Sequence, residues 1–330
     1  MYKNIVVMLP NYLGDAVMST PSLQLLQELH SQASITLLCV NSATAELFGR
    51  ESRYRVLRDP RSSQRAKGFF PLVNMLRKER FDLGILFRNT FLDALAFKLA
   101  GVKQVVGYKK EGRSFLLHHK EKMNSARHYI NHFAHLVNAA HGNEKRLLYS
   151  TQITARGDAL TFSTSLSTFY VGIYLGGKNK GVRHYPHSLA IEAVKPLIEA
   201  YQLHFVLLGD QQEREDNANF QVALTEIGAE STNLAGETDI HRFVDTIAAL
   251  DLLLTIDSSP LHIAAAVNTP AVVLVAVGTS AWSRVVPKTA FGEAVLSPGN
   301  SVRDQDQMSE IDPENVTAAL KRQLNALMQK

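Results

Sequence analysis

Two loops, each following a strand-like run and opening a helical one, hold residue types that group transfer needs. In the first, Leu9-Pro-Asn-Tyr-Leu-Gly-Asp-Ala-Val17, Gly14 lets the backbone come close to a ligand and Asp15 stands where the chain turns into a helix. A carboxylate there can take a proton from an attacking hydroxyl. A nearby helix N-terminus lowers its basicity, so the proton moves late, once the hydroxyl oxygen has begun to bond. The other reading of Asp15 is a helix cap. In the second loop, Thr255-Ile-Asp-Ser-Ser-Pro-Leu-His262, Ser258 or Ser259 can cap a helix, and Pro260 suits its first turn. The free N–H groups at such a start suit a diphosphate. His262, one turn further on, either hydrogen-bonds the same anion or packs in the core.

Short β-branched runs alternate with amphipathic stretches along the whole chain, the pattern of parallel sheets covered by helices. Strands are expected at residues 5–9, 35–40, 82–87 and 104–107, then at 170–175, 204–208, 252–256 and 271–277. Helices are expected at 23–30, 127–140, 189–201, 240–250 and 313–328, the last capped by Asp312. The join falls within 151–168, a stretch of Ser, Thr and small residues with little periodicity. Two doubly wound domains follow, with a ligand cleft lined by loops beyond the strands' carboxyl ends.

At 330 residues, with 45% hydrophobic and 20% charged residues, the chain can bury two cores, and long disorder is excluded. The longest apolar run, 271–277, is far below the ~20 residues of a membrane span. The N-terminus lacks a secretory pattern, so a cytoplasmic protein is expected. Cys39 is the only cysteine, which excludes an internal disulfide and multi-cysteine metal sites, and it reads as a buried thiol. The net charge of +4 hides an asymmetry. Residues 1–168 hold 23 Lys and Arg against 12 Asp and Glu, a formal +11, whereas residues 169–330 hold 12 against 19, a formal −7. The first half therefore suits an anionic partner, whether nucleic acid, membrane surface or phosphorylated small molecule. Neither GxGxxG nor GxxxxGK[ST] occurs, so dinucleotide oxidation and P-loop phosphoryl transfer lose their usual support.

Four motifs occur in order: NYLGDAVMSTP, GVRHYP, LAGETD, and Asp257-Ser-Ser-Pro-Leu-His262 continued by IAAAVNTPAVVLVAVGTS. Together they resemble glycosyltransferase family 9, the ADP-heptose:lipopolysaccharide heptosyltransferases. The opening loop is more similar to heptosyltransferase II than to heptosyltransferase I. The resemblance implies an α/β GT-B fold, with two Rossmann-like doubly wound parallel-sheet domains facing across a cleft. Residues 1–160 would bind the acceptor, and residues 161–330, with a terminal helix, the ADP-sugar. It implies inverting, metal-independent transfer of L-glycero-D-manno-heptose from ADP-heptose to the lipopolysaccharide inner core, as the second heptose, with no cofactor.

By motif match Asp15 would be the general base. Arg183 stands where the family usually carries a lysine that neutralises the diphosphate; it keeps the charge and adds a second donor. Asp257 would hydrogen-bond the donor heptose, with His262 close by, and Ser258 and Ser259 would meet the phosphates through their backbone. The family usually has Gly at Ser259. Glu213 would bind the ribose and Thr238 would lie beside the adenine. Gly14 and Lys178 complete the expected sugar-nucleotide contacts, with Lys180 in the same loop as Lys178.

Two basic stretches, residues 50–67 and 109–127, suit the phosphates and Kdo carboxylates of a lipid-linked core. From them and from His128 just beyond, Arg58, Arg61, Arg65, Lys109, Arg113 and His128 are assigned to the acceptor. The acidic second half and the lack of interleaved aromatics argue against nucleic acid. His128, His132 and His135 share a helical face, but no carboxylate accompanies them in that helix and no metal is assigned. Asp304-Gln-Asp306 is similar to a DxD metal motif but lies in a polar stretch away from the phosphate loop. The expected protein is a monomer that touches the inner face of the inner membrane transiently. The alternatives are a GT-B transferase using another nucleotide sugar, and a non-catalytic anion-binding protein on the same fold.

Overall fold

The structure, a computed structural model, describes residues 2–142, 150–156, 168–176, 183–276, 281–289 and 291–329, the side chains of Arg65 and Gln305 excepted. The chain divides into two compact units, Met1–Thr154 and Ala155–Lys330.

In the first unit the strands are β1 (Asn4–Met8), β2 (Ser34–Cys39), β3 (Arg55–Arg58), β4 (Leu83–Leu86), β5 (Gln104–Tyr108) and β6 (His119–Glu121). They form one parallel sheet in the order β3-β2-β1-β4-β5-β6. The helices are α1 (Leu13–Met18), α2 (Thr20–Leu29), α3 (Ser42–Gly49), α4 (Arg61–Gln64), α5 (Phe69–Glu79), α6 (Phe91–Ala100) and α7 (Tyr129–Ala139). Val6 and Met8 of β1, Leu38 of β2 and Leu86 of β4 pack with Leu72 and Leu76 of α5 and Phe97 of α6 in one core. Helices on both faces explain why the inner strands read as continuous apolar runs. Cys39, at the end of β2, is buried, and burial pushes its thiol up to about 12.

The second unit winds the same way. Its strands are β7 (Phe169–Tyr174), β8 (Leu203–Leu207), β9 (Glu230–Asn233), β10 (Leu252–Ile256), β11 (Ala271–Val275) and β12 (Gly292–Leu296), in the order β12-β11-β10-β7-β8-β9 and again all parallel. Its helices are α8 (His187–Ile198), α9 (Arg214–Glu226), α10 (Ile240–Ala249), α11 (Ser259–Val267), α12 (Trp282–Val285) and α13 (Pro313–Met328). Asp312 caps α13 by accepting from the Glu314 amide at 2.9 Å, and α13 packs on α8, where Thr317 Oγ1 donates to the Ala193 carbonyl at 2.7 Å. Among the described residues no helix is long and apolar enough to cross a membrane.

The doubly wound α/β reading therefore holds in both units. The eight expected strands are present within a residue or two, except that the end of the 271–277 run lies outside the described residues. Four outer strands, β3, β6, β9 and β12, were not expected. In each sheet the strand order reverses at one place, between β1 and β4 and between β7 and β10. Loops leaving the carboxyl ends of adjacent strands diverge there, which opens a crevice for a ligand.

Candidate active site

In the second unit the reversal brings together the loops that leave β7 and β10. Register pairs Tyr174, the last residue of β7, with Thr255. Asp257 and Ser258 come directly after β10, and α11 begins at Ser259. Ser258 is the N-cap in extended conformation, but no side chain caps the helix, and Pro260 lies in its first turn. The first amides of α11 thus remain as donors at the positive end of a helix, a seat for an anion.

The β7 loop supplies the cation. Arg183 Nη1 donates to the main-chain oxygen of Asp257 at 3.4 Å, so its charge lies against the start of the β10 loop. Tyr185 holds that loop in place: it is fully buried, and its hydroxyl donates to the Ile311 carbonyl at 3.1 Å, just before α13. Burial pushes the Asp257 carboxyl up to about 6, against the opposing pull of Arg183. A carboxyl there can hydrogen-bond the hydroxyls of a sugar seated beside the anion. His262 is buried inside α11. Lys178 and Lys180 lie outside the described residues.

The β8 and β9 loops fold onto each other beside this seat. Asp210 accepts from the amides of Gln212 and Glu213, while Glu213 Oε2 accepts from the Asp210 amide at 2.8 Å, a reciprocal capping box. Glu213 is buried, with one carboxyl oxygen committed to its own turn. Gly236 adopts φ +74° against this turn, where an added Cβ would sit 2.3 Å from Gln211 Oε1 and 2.9 Å from its Cα, so only glycine fits without displacement. Arg214 ties the two loops by donating to the Ala235 carbonyl at 2.9 Å. Thr238 is half-buried between this turn and Asp239, which caps α10.

Sequence reasoning missed Tyr174. Burial raises its phenol strongly, and the charges of Glu213, Asp210 and Arg183 all act on it, so it stands among the loops after β7, β8 and β10. Its position at the end of the first strand of a wound unit was the available signal. A His184, His187 and Asp216 cluster was also missed. Its ligand atoms lie within 4.8 Å of one another, looser than the roughly 3.3 Å spacing that bonds of about 2 Å give in a tetrahedral shell. The His184 ring donates to the Gly176 carbonyl, and His187 stacks on Phe220.

In the first unit Asp15 occupies the first turn of α1, shortly after β1, and is half-buried. Tyr12 is the N-cap, so Asp15 is not the cap of α1, and Gly14 is buried in the same turn. The neighbouring loop at the reversal leaves β4 and contains Arg88, Asn89 and Thr90.

The residues expected to meet the acceptor lie in different surroundings. Arg113 is fully buried, and it donates to the carbonyls of Tyr108 at 3.0 Å, Arg88 at 2.8 Å and Thr90 at 3.2 Å and to Asn89 Oδ1 at 2.9 Å. Burial lowers it to about 10, still charged at neutral pH, and its hydrogen bonds shape the β4 loop from within. His128 is likewise buried and caps α7, its Nδ1 accepting from the Ile130 amide at 3.3 Å. Arg61 lies 2.5 Å from Asp59 and 2.6 Å from Asp93, two carboxylates with no exposed surface. Arg58 pairs with Glu46 at 2.8 Å in solvent, and Arg55 with Glu79. The first basic stretch is therefore largely neutralised by carboxylates, several of them distant in sequence. Lys109 is exposed, and the Arg65 side chain lies outside the described residues.

Two six-stranded parallel-sheet units wound alike are the two Rossmann-like halves of the GT-B fold. The profile of glycosyltransferase family 9 (heptosyltransferase) matches residues 69–289, and the chain belongs to that family. It is 26% identical over 358 residues to lipopolysaccharide heptosyltransferase 2 of Escherichia coli strain K12, covering 98% of each chain. It superposes on the structure of E. coli ADP-heptose lps heptosyltransferase II with TM-score 0.82 at 25% identity, covering 98% of this chain and 99% of the other. An E. coli heptosyltransferase solved with ADP-2-deoxy-2-fluoro heptose shares the fold, with TM-score 0.75 at 14% identity over 97% and 99% of the two chains.

Proposed function

We propose that this enzyme transfers L-glycero-D-manno-heptose from ADP-heptose to the lipid-linked inner core of lipopolysaccharide, as its second heptose, with inversion and without a metal. The observation that carries the reading is Arg183 held on the Asp257 carbonyl beside the uncapped start of α11, where a sugar diphosphate's charge is best met. End-to-end similarity to a heptosyltransferase 2 supports the choice of sugar and acceptor.

In this reading residues 1–160 bind the acceptor and residues 161–330 bind the donor. An acceptor hydroxyl attacks the anomeric carbon as the bond to the β-phosphate oxygen breaks, and Asp15 takes the hydroxyl proton. The α11 amides and Arg183 receive the charge that develops on ADP, while Asp257 orients the heptose. Glu213 and Thr238 flank the nucleoside, and Lys109 faces the acceptor anions. The enzyme works as a monomer on the cytoplasmic side of the inner membrane.

The test is incubation with ADP-heptose and acceptors carrying no heptose or one heptose, followed by mass spectrometry of the glycan. Addition of one heptose to the mono-heptosylated acceptor is expected. Transfer from a different nucleotide sugar, or no transfer with intact ADP binding, would overturn the assignment.

A further inference from the structure

The carboxyl edge of the first unit carries large apolar side chains that the reaction does not use. Phe70 is 70% exposed, Leu92 51% and Phe115 72%. Each belongs to a pair of adjacent apolar residues whose other member is rooted inward: Phe69 and Phe91 pack on the core and Leu116 is part of it. Helices α5 and α6 both run back from the carboxyl edge and pack side by side, and Arg77 of α5 donates to the Leu99 carbonyl near the end of α6. Their first turns, bearing Phe70 and Leu92, consequently lie together. The Phe91 ring is 6.2 Å from that of Phe115, which joins the third residue to the row.

Cations flank this row on the same edge. Lys67 precedes α5, Lys110 follows β5, and Lys122 follows β6, all of them exposed. The acidic neighbour, Glu111, accepts from the Phe91 amide at 3.1 Å. Exposed aromatic and leucine side chains beside lysines match the interface of a bilayer with anionic headgroups: the rings enter the boundary region and the ammonium groups stay with the phosphates. The lysine flank complements a negatively charged surface, which an anionic bilayer supplies along the whole row.

We propose that Phe70, Leu92 and Phe115, flanked by these lysines, form a shallow docking face for an anionic membrane surface. The face would hold the enzyme where a lipid-linked acceptor resides. That purpose rests on the proposed acceptor, but the binding itself does not.

The experiment uses the full chain with vesicles of phosphatidylethanolamine and phosphatidylglycerol, or of phosphatidylcholine, with no donor or acceptor. Wild type should sediment with the anionic vesicles, dissociate as salt rises, and bind phosphatidylcholine weakly. The double variant Phe70→Ser, Phe115→Ser should lose at least about tenfold in partitioning at an unchanged melting temperature. Should that variant unfold, Phe70→Trp provides a second reading, with emission quenched by brominated lipids while Trp282 is not. Equal partitioning of variant and wild type, no preference for anionic vesicles, or no quenching would overturn the proposal. Transfer to a water-soluble acceptor is assayed separately, so a failed docking face and a failed heptosyltransferase reading give different results.

Discussion

Arg183 donates to the main-chain oxygen of Asp257, not to its carboxylate, at 3.4 Å. One guanidinium nitrogen is thereby engaged by the protein, and the planar group can offer its remaining donors to a phosphate. Lysine at this position has a single point charge with which to do both. Arg183→Ala should lower kcat by roughly 100- to 1,000-fold. Arg183→Lys should recover part of that loss and leave a raised KM for the donor. Steady-state kinetics of both variants check this, and full activity of the lysine variant would remove the argument for two donors.

Asp15→Asn should reduce turnover by about 100- to 10,000-fold while ADP binding, measured calorimetrically, stays unchanged. The substitution preserves size and position in the first turn of α1 and removes the ability to accept a proton. Near-normal turnover would transfer the base role elsewhere.

The Asp257 carboxyl sits at about 6 because burial favours its neutral form. A raised carboxyl contributes its stability in full below the ordinary range near 4, and that contribution is lost as pH rises through about 6. Asp257→Asn should therefore melt higher than wild type at pH 7.5, by up to roughly 3 kcal/mol in stability, with no difference near pH 4. Melting curves across that range decide it; a gap independent of pH would mean that the ionised carboxylate is well solvated.

Much of the architecture was legible because the inner strands are apolar on both faces. The run Leu252–Ile256 was located without error, as was α13 with its aspartate cap. The outer strands were invisible for the opposite reason. Arg55–Arg58 and Glu230–Asn233 have no fully buried residue, and their polar side chains look like loop. The motif loops were legible as loops, but only the strand order places them at the two reversals of winding. The ion pairs of the basic stretch were not legible because Arg61 meets Asp93, 32 positions away, and no local pattern announces that pairing.

Arg113 and Arg58 contrast a buried arginine with a solvent-exposed one. Arg113→Met would leave three carbonyls and the Asn89 side chain without their donor, at a cost of about 3 kcal/mol or more. Arg58→Ala, whose partner is in solvent, should change stability by less than about 1 kcal/mol. Denaturant titration of the two variants compares them directly, and equal effects would contradict a buried scaffolding role.

The Tyr185 tether makes the end of the chain part of the chemistry. A shortened enzyme ending before Ile311 would leave a phenol without its acceptor and let the segment bearing Arg183 slacken. Such a deletion would also remove α13, whose Val316, Ala319, Leu320 and Leu324 are buried, so nucleotide retention and the stability of the second unit should fall together. Anyone trimming this protein for crystallisation or fusion should spare everything from Ile311 onward.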